Sequence, residues 1–403
     1  MRKKNPNKEK TKIAMVSSIR PATNYSAYLI EALQRCYPKR LDVLIYTSRE
    51  KKNLQAPLKN IKLVWDKNIL YLFQILKQTA KDRPKIVHLQ HEVNMFGGLA
   101  TAAIFPLLPI LLKLMRVKVV TTIHAVVCQK KIDEEFIETF FRSKRGFLLL
   151  PIKLFFSLLY RMTGIFSDKI IVHTEGLKTI LVRDYHLEKD KIVIMPHGVP
   201  DKVETDRTYQ PSAKWFENIS QRKFILTYGY LHKRKGIEVL LDAFKFLPKK
   251  LPVILVVAGG TLQKDYEQRL KRMVKELKIE KNVVFTGFVK EKDLRWFLEK
   301  CQFVLLPAQY SISASGPLAQ TISQYKPVIA SDIGVFSEEI KGGVDGLLAK
   351  NSPLSWAKQI ERLMSDKKLS QKIVTNLRKK HQQRKWAKIA GRTNSLYQSI
   401  LEK

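Results

Sequence analysis

Short apolar runs recur along this chain. Between them, apolar residues return every three or four positions, the spacing of an amphipathic helix. Runs at 12–17, 41–46, 61–64, 86–89, 118–123, 169–173 and 192–195 read as strands in the first half, and runs at 224–228, 253–258, 283–286, 303–306 and 328–330 in the second. Strands alternating with helices predict βα units, hence parallel sheets in an α/β architecture. The alternation restarts near residue 223, after a polar stretch at 201–222 that reads as a linker. The expectation is two Rossmann-like doubly wound domains facing a cleft, one over 12–200 and one over 223–384. A basic tail at 1–11 precedes them and a last helix at 385–403 follows. Ligands of such folds sit beyond the carboxyl ends of the strands.

Two segments are more apolar than this rhythm requires. Residues 95–112 (MFGGLATAAIFPLLPILL) run eighteen residues without a charge, long enough to span a bilayer, but Pro106, Pro109 and two glycines argue against a regular spanning helix. Residues 146–162 (GFLLLPIKLFFSLLYRM), preceded by Arg142, Lys144 and Arg145 and holding Arg161, resemble a basic amphipathic element lying in a membrane interface. A helix packed on a sheet face accounts for either segment as well.

Composition sharpens this. Among 403 residues, 73 Lys and Arg stand against 36 Asp and Glu, a net charge of +37 that attracts polyanions: an anionic membrane surface, a phosphorylated substrate or a nucleic acid. The basic residues are not interleaved with stacking aromatics, so no specific nucleic-acid partner is expected. Hydrophobic content of 45% excludes a disordered chain. MRKKNPNKEKTK leads straight into an apolar strand with no longer apolar region, unlike a signal peptide. Cys36, Cys128 and Cys301 lie far apart, which suits a reducing compartment and neither a disulfide nor a zinc framework. The expected location is the cytoplasm, with peripheral attachment to the inner face of the cell membrane.

Candidate chemistry gathers at strand ends. After 303–306 comes the loop Ser311-Ile312-Ser313-Ala314-Ser315-Gly316, then Pro317 and a helix-like segment to Gln324. Backbone N–H groups at such a helix start favour an anion, most often a phosphate, although an ordinary strand–turn–helix junction fits the local pattern equally well. Gly229-Tyr230-Leu231-His232-Lys233-Arg234-Lys235-Gly236 sets three cations at a second strand–helix junction, where they suit a leaving diphosphate or a plain basic loop. Gly259-Gly260 and Gly287-Phe288 follow two further strands and permit close approach of a ligand. In the first half His88, Gln90, His91, Glu92, His124, His173 and His197 all fall at or near strand ends, which suggests a shared polar cleft. No HExxH, GxSxG, Walker loop or cysteine cluster appears, so hydrolase, NTPase and zinc readings find no support.

These residues in this order resemble the GT-B retaining glycosyltransferases of family 4 (the glycosyltransferase group 1 type) over roughly residues 12–403. The closest motifs are VHTEGLK at 172–178, MPHGV at 195–199, KGIEVLLDAF at 235–244 and YKPVIASDIG at 325–334. The resemblance makes the first domain the acceptor side and the second the nucleotide-sugar donor domain, with the last helix crossing back to the first. It implies a catalytic pair: Lys235 on the donor diphosphate and His124 on the donor sugar. It further implies donor contacts from Gly229, Tyr230, Arg234, Gly259, Gly260, Gly287, Phe288, Ser315, Gly316, Pro317, Leu318 and Gln320, and acceptor contacts from Asn24, Tyr25, Glu92 and His197.

The chain departs from the family pattern in three places. Ile312 and Gln320 stand where the two glutamates of an E-x7-E motif belong, Tyr230 stands where an arginine is common, and the N-terminal glycine-rich loop is replaced by Arg20-Pro21-Ala22-Thr23-Asn24-Tyr25-Ser26. The implied partners are a nucleotide sugar, a glycan or lipid-linked acceptor, and an anionic membrane surface. No cofactor and no metal are implied, because fixed cations and a helix dipole neutralise the diphosphate. A sugar-nucleotide epimerase of the same fold, or a catalytically impaired sugar-nucleotide-binding relative, are the alternatives.

Overall fold

Each apolar run becomes a strand, and each strand pairs in parallel with its neighbours. The computed structural model describes residues 10–19, 25–50, 58–134, 136–137, 146–206, 208–212, 215–248, 251–261 and 264–402. These divide into two compact units. The first is drawn from Met1–Gly198, Ile312–Ala314 and Trp386–Lys403, the second from Val199–Ser311 and Ser315–Lys385. Most of the basic tail lies outside the described residues.

The first unit runs β1 (Thr11–Val16), α1 (Tyr25–Cys36), β2 (Leu41–Ser48), β3 (Ile61–Trp65), α2 (Tyr71–Asp82), β4 (Ile86–His91), α3 (Leu99–Ile104), α4 (Leu107–Leu114), β5 (Lys118–Ile123), α5 (Leu149–Phe166), β6 (Lys169–Val172), α6 (Glu175–Tyr185) and β7 (Ile192–Ile194). The second runs β8 (Phe224–Tyr228), α7 (Ile237–Ala243), β9 (Ile254–Ala258), α8 (Lys264–Glu276), β10 (Val283–Gly287), α9 (Glu291–Lys300), β11 (Val304–Leu306), α10 (Gly316–Ser323), β12 (Val328–Ser331), α11 (Gly334–Glu339), β13 (Leu347–Ala349), α12 (Pro353–Ser365) and α13 (Lys367–Arg384). The last helix, α14 (Trp386–Leu401), belongs to the first unit. β13, three residues long, is not among the runs read from the sequence.

In the first sheet the order is β3-β2-β1-β4-β5-β6-β7, in the second β10-β9-β8-β11-β12-β13. Each order reverses once, between β1 and β4 and between β8 and β11. Helices from the two strands at such a point leave on opposite sides, so a crevice opens at their carboxyl ends.

Strand side chains alternate between faces, and this period of two sorts the first sheet. One face carries Ile13, Met15, Ile86, Val120, Ile171 and Met195 and is covered by α1 and α14. The same parity places His88, Gln90, Thr122, His124 and His173 on that face. The opposite face, with Ala14, Val16, Val87, Leu89, Val119 and Val172, packs against Ile75 of α2, Leu108 and Leu112 of α4 and Phe156 and Tyr160 of α5. β4 is buried at all six positions, so its polar residues are structural or functional and cannot be solvated surface.

The stretch 201–222, expected to be a linker, is part of the second unit. Ile219 is buried, and Trp215 lies 4.5 Å from the Phe297 ring and 6.3 Å from Trp296. Its apolar residues are few but large, and they close the end of the second core. All three cysteines are free.

Candidate functional site

The second unit offers a crevice at its reversal point. Its walls are Thr227 to Leu231 at the end of β8 and just past it, Leu306 and Pro307 at the end of β11, and Lys235, Ile237, Ser315 and Phe336. Glycine is required at two places here. Gly229 has φ +118°, and a Cβ on Gly259 would stand 1.9 Å from the Gly229 carbonyl oxygen. The Gly229 N–H donates to Ala258 O and the Leu231 N–H to Gly260 O, both at 3.0 Å, so the loops after β8 and β9 are held together. The buried Tyr228 hydroxyl donates to the Pro317 carbonyl at 2.6 Å and fixes the start of α10 over the end of β8.

Lys235 closes a single 3₁₀ turn, Lys233–Lys235. The turn is fastened at both ends. His232 Nδ1 accepts from the Arg234 N–H at 3.1 Å, and Gly236, at φ +59°, donates to the Lys233 carbonyl. The Arg234 carbonyl in turn accepts from the Gln309 N–H at 2.9 Å. Burial, and then the neighbouring Arg234 charge, lower the Lys235 ammonium to about 8. Among the described residues no carboxylate or hydrogen-bond acceptor meets that ammonium. A desolvated cation with no counter-ion, in a crevice, is a site poised for an anion.

The expected backbone cradle at Ser315-Gly316-Pro317-Leu318 is thinner than the motif suggests. Ser315 is the N-cap, and its Oγ accepts the Leu318 N–H at 3.2 Å; the Ala319 N–H goes to the Ser315 carbonyl, and Pro317 has no N–H. Only the Gly316 N–H remains of the orphan donors. Leu318 itself is a core residue. Of the expected donor residues Gly229, Tyr230, Lys235 and Ser315 line the crevice. Arg234, Gly259, Gly260, Gly287, Phe288, Gly316, Pro317, Leu318 and Gln320 lie outside that lining. Phe288 is exposed, and Tyr230 stands exposed at the rim. Leu306, Pro307 and Phe336 line it without any polar signal that could have announced them.

The first unit holds a second candidate site, a buried polar chain on the α1 and α14 face. His173 Nδ1 lies 2.9 Å from the Met195 carbonyl, His124 Nδ1 lies 3.0 Å from His173 Nε2, and His124 Nε2 lies 2.9 Å from Gln90 Oε1. Gln90 Nε2 lies 3.1 Å from His88 Nε2, which is also 2.7 Å from Thr122 Oγ1; His88 Nδ1 lies 2.6 Å from the Tyr397 hydroxyl. The Met195 carbonyl can only accept, so His173 is protonated at Nδ1, and a neutral His173 then accepts the Nδ1–H of His124. A neutral His124 leaves Nε2 as an acceptor, which the amide oxygen of Gln90 cannot satisfy. Two states complete the chain: an imidazolium at His124, or a Gln90 carboxamide turned to offer its NH₂ to His124 and its oxygen to His88.

Desolvation selects the neutral state. It lowers His173 and His88 to about 3 and, with the neighbouring histidines, His124 well below its ordinary value. Gln90 and His173 thus fix His124, and both nitrogens of His124 are occupied by protein.

Tyr25 sits against this chain, its ring 4.8 Å from His124, 4.9 Å from His173, 5.3 Å from His197 and 4.9 Å from Trp386. Its buried hydroxyl has no partner among the described residues, and burial raises its pKa. His197 turns its Nδ1 to the Gly198 carbonyl at 2.7 Å. A Cβ on Gly198 would stand 2.5 Å from the Trp386 ring, so that glycine is set by close packing. Glu92 is exposed just past β4, and Asn24 lies outside the described residues. Trp386 was not anticipated as part of this site, and nothing near it in sequence signals the role. Among the described residues no group of three or more His, Cys, Asp or Glu side chains is arranged to hold a metal ion.

Residues 210–380 match the family Glycosyl transferases group 1, and residues 22–203 match Glycosyltransferase Family 4. An uncharacterized glycosyltransferase of Methanocaldococcus jannaschii is 26% identical over 242 residues, covering 59% of this chain and 61% of that protein. The O-antigen chain mannosyltransferase C of Escherichia coli is 26% identical over 48% of this chain and 51% of its own length. The chain spans between 33% and 61% of the length of the curated relatives it matches. Among solved structures, HepE of Anabaena in complex with UDP superposes with a TM-score of 0.71 at 14% identity, covering 96% of this chain and all of that one. That likeness extends the two-domain GT-B fold to this chain.

Proposed function

Because this chain belongs to the glycosyltransferase group 1 family, we propose that it moves a sugar from a nucleotide-diphosphate donor to a glycan or lipid-linked acceptor, with retention of anomeric configuration. The observation that carries the reading is Lys235, a desolvated ammonium that meets no counter-ion among the described residues, at the β8/β11 reversal. In the reaction, the bond between the anomeric carbon and the β-phosphate oxygen breaks and its electron pair leaves with the diphosphate. The acceptor oxygen bonds the same face of that carbon, and its proton passes to the departing phosphate oxygen. Lys235 keeps its own proton and neutralises the charge that develops on the diphosphate. A fixed donor aimed at developing charge typically contributes about 10²–10³ in rate. His124 orients the sugar by exchanging Gln90 for a sugar hydroxyl at Nε2. The acceptor is placed at the cytoplasmic face of a membrane, a reading supported by the +37 charge.

A panel of nucleotide sugars tests this. The cognate donor raises the melting temperature, by the equivalent of about 2.7 kcal/mol at one hundred times its Kd. Lys235→Ala retains the fold and loses most turnover. Near-normal turnover in that variant removes the phosphate assignment, a product of inverted configuration removes retention, and conversion of the donor to an epimer with no acceptor present replaces transfer altogether.

A further inference from the structure

The outer face of α5 is apolar and uncovered. Leu150, Leu154, Leu158 and Ile165 are 75%, 66%, 54% and 59% exposed, and Phe147, one turn earlier, is 70% exposed. Their spacing of three, four and seven puts them on one helical stripe, on which Arg161 also falls. The opposite stripe is committed to the protein core. Ile152, Phe156, Leu159 and Tyr160 are buried, and the Tyr160 hydroxyl donates to the Ala125 carbonyl at 3.1 Å and accepts from the Val127 N–H at 3.2 Å. α5 is the one helix among the described residues long and apolar enough to cross a bilayer. With 33% of its residues already buried in the protein core, it cannot leave to do so.

α4 packs beside α5 and continues the surface with Leu107 and with Leu114, the latter 74% exposed. α3, α4 and α5 together contain no Asp or Glu, while Lys113, Lys153 and Arg161 lie on them and Arg116 follows α4. Lys113 is paired with Asp168 at 2.8 Å; Arg161 directs its Nε to the Tyr185 carbonyl at 3.3 Å and remains exposed. A surface that joins a ridge of leucines to cations, on helices that themselves carry no carboxylate, complements the anionic headgroup layer of a bilayer and the acyl boundary just beneath it.

We propose that the α4–α5 ridge of the first unit is the docking surface for an anionic lipid bilayer, with α5 lying in the plane of the interface and its leucine stripe inserted. The assignment rests on the membrane-face reading given above and specifies the surface that makes it. Its test needs no turnover, so failure of docking and failure of sugar transfer are read separately.

The full chain is floated with vesicles of phosphatidylcholine alone and with vesicles containing about 30% phosphatidylglycerol, whose negative surface potential attracts basic residues, at low and high salt. The variant Leu150→Gln/Leu154→Gln/Leu158→Gln removes the stripe at no cost in charge, and its melting temperature confirms the fold. The expected result is binding to the anionic vesicles and weak binding to the neutral ones. The triple variant should bind at least tenfold less well, and Lys153→Glu/Arg161→Glu should weaken binding and flatten its salt dependence. Three results overturn the proposal: no flotation with anionic vesicles at low salt; triple-variant binding equal to that of the parent, which makes attraction a matter of net charge alone; or a dimer in sedimentation that the triple variant dissolves while vesicle binding is absent, which assigns the stripe to a second copy of the chain.

Discussion

The two units bury polar groups in opposite ways. In the second, Lys235 carries a charge into a crevice and meets no partner there among the described residues. In the first, His88, His124 and His173 are buried more deeply, yet each ring nitrogen named above has a partner within about 3 Å and the chain is neutral. A satisfied network holds a shape, whereas an unsatisfied cation costs stability until a ligand arrives. The contrast supports the proposed anion site in the second unit and a preorganising role for the first.

The largest effect that breaks the contrast is on rate. Lys235→Met, which keeps the volume and removes the charge, should lower turnover by about 10²–10³. It should also leave the unliganded protein equal or more stable, by about 1–2 kcal/mol after allowance for partial solvation of the ammonium. The opposite sign is expected in the first unit. Gln90→Leu strands Nε2 of His124, whereas His88 Nε2 keeps Thr122 Oγ1 at 2.7 Å, and should cost about 1–3 kcal/mol for the group left unpaired, measured by urea unfolding. A Lys235→Met that destabilises, or a Gln90→Leu that does not, erases the distinction.

Acid should find the first unit as well. His88 and His173 fall to about 3 and His91 to about 4 in the folded state, against an ordinary value near 6.5. Below pH 6.5 the unfolded chain therefore binds more protons than the native one, and stability is lost as pH falls from about 6.5 toward 4. With His124 shifted the same way, the slope reaches roughly 4–5 kcal/mol per pH unit. Lys235 acts at the other end: stability of the free protein rises between pH 8 and 10.5 as the unfolded state holds the extra proton, while nucleotide affinity falls. Acid melting curves with no such slope contradict the neutral chain. The subtlest check is spectroscopic. Imidazole nitrogen shifts should report His124 and His173 protonated at Nδ1 and His88 at Nε2; a doubly protonated His124 at pH 7 selects the other state of Gln90.

Much of this was legible in the chain. Twelve runs named the strands, because in parallel sheets buried on both faces a strand is a short apolar run with little else to confuse it. Gly229, Lys235 and Ser315 were legible because the site at a sheet reversal is built from loops contiguous in sequence with strand ends. What escaped was long-range. Gln90 and His173 become partners of His124 only through the register of β4, β5 and β6, and Trp386 meets Tyr25 across several hundred residues of chain. Ser315-Gly316-Pro317-Leu318 misled for a local reason, since a good N-cap consumes the donor that the motif seemed to offer.

The central claim is that Lys235 waits for an anion. Titrating a nucleoside diphosphate calorimetrically near pH 8 to 8.5, in two buffers of different ionisation enthalpy, tests it most directly. An anion bound to the ammonium raises its pKa, so binding should take up a fraction of a proton that disappears at pH 6.5 and in Lys235→Met. Binding that is proton-neutral at pH 8.5 and unchanged in Lys235→Met would contradict the account.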